Sequence, residues 1–143
     1  MENLLVSACL VGLNCKYNGG NNYNSKILEL MKKYNFILIC PEYDGGLPIP
    51  RKPSEIKNGV VINSSYEDVT INFNAGAKKA LELAKIYNCK KALLKEKSPS
   101  CGKNYTYDGT FSNKLIERSG ISAKLLIDNN IEVYSENEID KLL

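Results

Sequence analysis

Five cysteines and no histidine define the chemistry open to this chain of 143 residues. Without imidazole there is no side-chain nitrogen for a metal and no ordinary near-neutral general base. Acid–base work falls to a carboxylate, Cys, Lys, Tyr, a hydroxyl relay or water. A metal would sit on thiolates with oxygen or exogenous ligands, which suits thiophilic iron–sulfur or zinc chemistry. Three of the cysteines share a context. Cys9 follows Leu4-Leu5-Val6-Ser7-Ala8, Cys40 closes Phe36-Ile37-Leu38-Ile39, and Cys101 lies in Lys95-Glu96-Lys97-Ser98-Pro99-Ser100-Cys101-Gly102, just past Ala92-Leu93-Leu94. Each therefore stands just past a short apolar run that reads as a strand. Ligands of open α/β sheets bind at the carboxyl ends of parallel strands, so these thiols are expected to meet at one edge. Cys89 precedes its strand and is expected at the opposite edge, as a small buried hydrophobe. Cys15 shares a loop with Cys9 and could approach the site. Its Cys-x5-Cys spacing fits neither a zinc knuckle nor a C-x-x-C redox pair. For Cys9, Cys40 and Cys101, spacing alone leaves ligand and half-buried core thiol equally open.

The elements that must position these residues alternate. Leu4–Ala8 reads as a first strand, apolar enough for a central parallel position. Asn24 or Ser25 caps a helix over Lys26–Tyr34, with Ile27, Leu30, Met31 and Tyr34 on one face; Asn35 ends it before a strand over Phe36–Cys40. Pro41 to Pro53 holds four prolines and two glycines and is expected to be irregular and functional. Glu55–Ile56 reads as the start of a helical turn, and Val60–Asn63 as an edge strand or hairpin. Asn72 or Asn74 caps a helix through Tyr87, with Phe73, Ala77, Ala80, Leu81, Ala84 and Tyr87 as its stripe. A strand over Lys91–Leu94 follows. Gly109-Thr110-Phe111-Ser112 introduces a helical region, then come a helix over Ser122–Ile127, a strand over Ile131–Tyr134 and a short helix capped by Ser135. This order predicts an α/β fold: one domain over residues 1–143, three layers α/β/α, with a mostly parallel, Rossmann-like sheet. The loop after the first strand lacks both the G-x-G-x-x-G and the G-K-[ST] phosphate signatures.

Composition excludes several classes. A net charge of +3, with no Lys/Arg run longer than two, argues against nucleic acid as a partner. No apolar segment approaches the ~20 residues of a membrane span, and no signal peptide is legible at the N-terminus. A soluble cytoplasmic protein is expected, and in a reducing compartment five cysteines point to metal, catalysis or burial rather than disulfides.

Four ordered motifs resemble the DUF523 family, which includes 2-thiouracil desulfurase. They are Ser7-Ala8-Cys9-Leu10-Val11-Gly12 with Tyr17-Asn18-Gly19, then Cys40-Pro41-Glu42 with Gly45-Gly46-Leu47-Pro48-Ile49-Pro50-Arg51, then Lys95 to Gly102, then Gly109-Thr110-Phe111-Ser112. Asn18 stands where the family more often has Asp. The resemblance runs from about residue 5 to residue 135. It implies a [4Fe–4S] cluster held by Cys9, Cys40 and Cys101, with one iron free of protein ligand. It also implies a small thiolated heterocycle as substrate. The open iron acts as a Lewis acid toward the thiocarbonyl sulfur, water attacks the carbon, and no redox partner is required.

Within that reading Glu42, two residues from a ligand and beyond a proline, is the candidate for proton transfer. Its alternative is a helix-terminus or surface carboxylate. Ser98 and Ser100 are candidates for orienting water or substrate, or are plain turn formers. Arg51 and Lys95 are expected to be solvated charges, although either could hold a polar ring edge. Two other readings stay open: a non-catalytic thiolate-metal protein, with zinc or an electron-transfer cluster, and a cluster-free cysteine enzyme.

Overall fold

The computed structural model describes residues 1–143. Four parallel strands form the central sheet in the order β2-β1-β5-β8: β1 (Glu2–Ser7), β2 (Tyr34–Ile39), β5 (Lys91–Leu94) and β8 (Glu132–Ser135). Helices cover both faces, as parallel strands require. The pleat of β1 sorts its side chains. Leu4 and Val6 pack with Ile27 and Leu30 of α1 (Ile27–Met31) and with Ile139 and Leu142 near the C-terminus. Leu5 packs on the other face with Ala80 and Ala84 of α3 (Thr70–Ile86) and with Ala123 and Leu126 of α4 (Ile121–Asp128). Leu4 and Leu5 are fully buried, each worth ~1.5–3 kcal/mol of transfer free energy. Leu5→Ala would leave a cavity between β1 and α3 and cost ~2–5 kcal/mol. The three-layer α/β/α reading therefore holds. No helix is long and apolar enough to cross a membrane.

The element boundaries depart from the sequence reading in physically intelligible ways. α1 is one short turn after an Asx turn in which Asn24 Oδ1 accepts from the Lys26 amide at 3.0 Å. Tyr34 and Asn35, expected as the helix end, belong instead to β2, where parallel pairing with Glu2 and Asn3 outweighs helical spacing. Met31 is exposed. α3 starts earlier than expected, because the Asp68 carboxylate rather than Asn72 or Asn74 takes the Thr70 amide, at 2.9 Å. Phe73, Ala77, Ala80 and Ala84 do form its buried stripe, but Tyr87 is exposed.

The stretch expected to be wholly irregular contains a one-turn helix, α2 (Pro41–Asp44); Pro41 begins it, where no amide donor is needed. Glu55–Ile56 is not helical. It lies in β3 (Ser54–Lys57), which pairs antiparallel with β4 (Val60–Asn63) across Asn58-Gly59. Both turn residues have positive φ, 50° and 77°, which matches the twist of a tight hairpin. Gly109 to Ser112 is not helical either. It joins the short antiparallel strands β6 (Tyr105–Tyr107) and β7 (Leu115–Glu117), with Phe111 and Asn113 both at positive φ. A final 3-10 helix, Glu136–Lys141, is closed by the expected Ser135 cap.

Candidate active site

Three strand ends feed one place. β1 stops at Ser7, and the chain enters a 3-10 turn, Ala8–Val11, that carries Cys9 and is closed by Gly12 at φ 98°. β2 stops at Ile39, so Cys40 becomes the boundary residue of α2. Its amide donates to Asp44 Oδ2 at 3.1 Å while its carbonyl accepts the Asp44 amide at 2.8 Å. α2 lies hard against α3: a Cβ at Gly76 would meet the Pro41 carbonyl oxygen at 1.9 Å, and one at Gly45 would meet that of Asn72 at 2.1 Å. Only glycine allows this approach, which sets the position of Cys40 and Glu42 against the sheet.

The loop after β5 is organised by a buried carboxylate. Glu96 Oε1 accepts from the amides of Lys97 (3.2 Å), Asn104 (2.9 Å) and Tyr105 (3.2 Å), and Oε2 accepts from Asn104 Nδ2 at 3.1 Å. Both ends of the Ser98–Gly102 turn are thereby gathered on one group. Inside the turn, Ser98 Oγ accepts the amides of Ser100 (3.1 Å) and Cys101 (3.0 Å). With both lone pairs used, its hydrogen points to Ser100 Oγ, 2.9 Å away, in preference to Glu42 Oε2 at 3.5 Å. Ser100 then donates to Glu42 Oε2 at 2.9 Å rather than to Cys101 Sγ at 3.8 Å. On the other side, Arg51 Nε donates to Glu42 Oε1 at 3.1 Å and Nη2 to the Cys15 carbonyl at 2.9 Å. The direction of this chain, Ser98 to Ser100 to Glu42, holds the carboxylate as an acceptor.

Cys9, Cys40, Cys101, Glu42, Ser98, Ser100, Arg51 and Lys95 all line one cavity of about 530 Å³. Cys15 lines it too, so the loop does carry it to the site. Cys89 does not; it is buried near Glu2, at the other end of the sheet. Burial pushes the Cys101 thiol up to about 12, partly opposed by the hydroxyl of Ser7. Burial also raises Cys9, against a hydrogen bond with Asn22. Cys40 is lowered to about 7, first by a hydrogen bond from Cys15 and further by the Tyr43 amide and the Arg51 charge. Cys15 is correspondingly raised. As a thiol, Cys40 points at the Cys15 carbonyl, 3.6 Å away; as a thiolate it accepts a hydrogen bond from the Cys15 thiol instead. No three Cys, Asp or Glu side chains close on a point where one metal ion could sit.

The sequence motif match extends well beyond this cavity: a profile described as 2-thiouracil desulfurase covers residues 4–138. The chain belongs to the 2-thiouracil desulfurase family. YbbK of Bacillus subtilis strain 168 is 41% identical over 150 residues, taking in 98% of this chain and 99% of YbbK. A solved structure of the [4Fe–4S]-dependent thiouracil desulfidase TudS matches with a TM-score of 0.94 at 37% identity, covering 99% of this chain and 95% of that one.

In this desulfurase-family chain two charges expected to be solvated are not. The Arg51 side chain is only 6% exposed and ion-paired with Glu42. Lys95 pairs with Glu136 at 2.9 Å and is three-quarters covered. Both lie beside Pro- or Gly-rich turns that fold them inward, a context that hydropathy does not register. The organising role of Glu96 leaves no local sequence signal either, since its partners at 104 and 105 lie beyond the turn.

Proposed function

We propose that this member of the 2-thiouracil desulfurase family removes sulfur from a thiocarbonyl compound of the 2-thiouracil class by hydrolysis, without net redox change. The observation that carries the reading is the joint lining of one cavity by the thiols of Cys9, Cys40 and Cys101 and the Glu42 carboxylate. The donor set suits a [4Fe–4S] cluster: three thiols from three strand ends, no histidine, and no arrangement closed tightly enough for a single zinc ion. Cys9, Cys40 and Cys101 would hold it, and when bound it would supply an open iron with Lewis-acid affinity for thiocarbonyl sulfur.

The chain's own residues supply the proton chemistry. Glu42 faces the cavity with its side chain 13% exposed and accepts a proton from the attacking water. Arg51 and the Ser98–Ser100 chain orient that carboxylate from both sides. Ser100 is 2% exposed and its hydrogen is committed to Glu42, so it positions the carboxylate rather than meeting the substrate. Water contributes its oxygen to the new carbonyl and its two hydrogens to the departing sulfide. Sulfur is formally −2 before and after, and no electron donor enters.

Cys15 favours a second reading, a closed four-thiolate metal protein without catalysis, because it lines the same cavity as Cys9, Cys40 and Cys101. One experiment separates the two. Anaerobically reconstituted protein given 2-thiouracil and related thio-heterocycles should release one sulfide per carbonyl product with no added reductant. A fully loaded protein that releases sulfide from none of them, and whose iron is lost in Cys15→Ser, would establish the closed site instead.

A further inference from the structure

Three carboxylates line the cavity: Glu42, Glu55 and Glu96. Glu42 is held by Arg51 and Ser100, and Glu96 by three amides and Asn104 Nδ2. Glu55, on β3, is different. It is 9% exposed, and its Oε1 accepts the amides of Gly109 (3.0 Å) and Phe111 (3.1 Å). No ion pair of the chain includes it. Its Oε2 has no partner within the protein, yet it is not sealed from solvent, since the one buried polar side-chain atom left without a partner is Ser122 Oγ. Glu55 lines the cavity, and Oε2 is its one oxygen left free for a ligand there.

The loop it holds is the fourth sequence motif, Gly109 to Ser112, for which the hydrolytic chemistry gives no use. Gly109, at φ 98°, presses on β3 so closely that a Cβ would meet the Ile56 carbonyl oxygen at 2.8 Å. Phe111 and Tyr107 form the adjoining wall, and Tyr66 meets the Phe111 ring edge to face at 6.2 Å. Glu55 thus joins an aromatic wall to an anionic acceptor that lacks a donor. A planar ring bearing N–H beside its thiocarbonyl, a cyclic thioamide or thiourea, supplies both complements.

We propose that Glu55 is the specificity residue of this site, accepting a ring N–H of the heterocycle on Oε2 while Oε1 holds the Phe111 loop against the ring. The inference rests on the desulfurase reading and narrows its substrate class to N–H-bearing thio-heterocycles.

Glu55→Gln tests it, because the amide oxygen still serves the Gly109 and Phe111 amides while an NH₂ donor replaces the open acceptor. With 2-thiouracil the KM should rise roughly 10–100-fold, the range of a hydrogen bond to a charged group. kcat should stay within about threefold and iron content should be unchanged. Calorimetric affinity for uracil, which carries the same ring N–H groups, should fall by the same factor. Methylation of one ring nitrogen of 2-thiouracil should cost the wild-type protein a similar factor and cost Glu55→Gln nothing further. Unchanged uracil affinity and KM in the variant would overturn the proposal. So would equal wild-type KM for 2-thiouracil and its 1-methyl and 3-methyl derivatives, a comparison that needs no variant to fold. Wild-type protein that releases no sulfide from any thiocarbonyl would fail the desulfurase reading instead, and the uracil titration would still decide Glu55.

Discussion

Glu42→Gln removes a negative charge while keeping the side chain's shape, and the structure says what that should cost. The carboxylate accepts Arg51 Nε on one oxygen and Ser100 Oγ on the other. The amide satisfies this arrangement by pointing its oxygen at Arg51 and its NH₂ at Ser100. Ser100 accepts from both Gln and Ser98 and turns its own hydrogen toward Cys101 Sγ. The hydroxyl chain therefore adapts. Arg51 does not, because its side chain is 6% exposed and loses its counter-charge. Breaking a buried pair costs ~3–5 kcal/mol, and the remaining bonds from Arg51 to the Cys15 and Pro48 carbonyls place this case near the low end. The catalytic cost is separate: loss of general acid–base assistance is a ~10²–10⁴-fold effect. The assay is sulfide release by protein of matched iron content, with a denaturant melt alongside. A variant with full iron content whose turnover falls by less than about threefold would remove Glu42 from the mechanism, whatever its stability.

Replacing Cys9, Cys40 or Cys101 by Ser should abolish or severely weaken the iron–sulfur absorbance of reconstituted protein, and Cys89→Ser should leave it intact; Cys15→Ser should retain it if one iron is open. Gly76→Ala should push α2 away from α3, since its Cβ would lie 1.9 Å from the Pro41 carbonyl oxygen, lowering the melting midpoint and the iron bound per chain together. Glu138→Gln tests a purely structural carboxylate. Burial alone would raise its pKa, but Lys103, the Ser135 amide and Lys141 outweigh burial and hold it at about 2. A group depressed from 4.5 stabilises the fold above pH 4.5 and loses that contribution as pH falls through about 2. At ~1.4 kcal/mol per pH unit the ceiling is ~3.5 kcal/mol, and solvent screening lowers it, so the variant should be ~2–3 kcal/mol less stable by urea midpoint at pH 7, with the gap closing between pH 4.5 and 2.

The three thiols could be placed from sequence because each follows a run of apolar residues too short for a helix, and strand ends in a parallel sheet share an edge. Cys89 was legible for the converse reason. What sequence did not carry is how loops fold back on the sheet. The hairpin of β6 and β7 has Leu115, Ile116 and Glu117 all exposed, so no alternating pattern marks it. Phe111 and Asn113 adopt positive φ, which hydropathy does not announce. The helical reading of Glu55–Ile56 passed over Asn58-Gly59, a dipeptide suited to the tight turn between β3 and β4. Arg51 and Glu42 were visible separately, but their pairing depends on the Pro48 to Pro53 turn that returns the guanidinium to α2. Cys15 reached the site through Gly19 and Gly20, where the chain doubles back to bond Lys16.

Hydrolysis at a site built by Cys9, Cys40, Cys101 and Glu42, as proposed, requires the new carbonyl oxygen to come from water. Reconstituted protein, kept anaerobic and free of reductant, should convert 2-thiouracil in ¹⁸O-labelled water to a carbonyl product. Mass spectrometry should find that product carrying the solvent oxygen, with one sulfide released per label incorporated. Unlabelled product, or turnover that begins only when an electron donor is added, would contradict it.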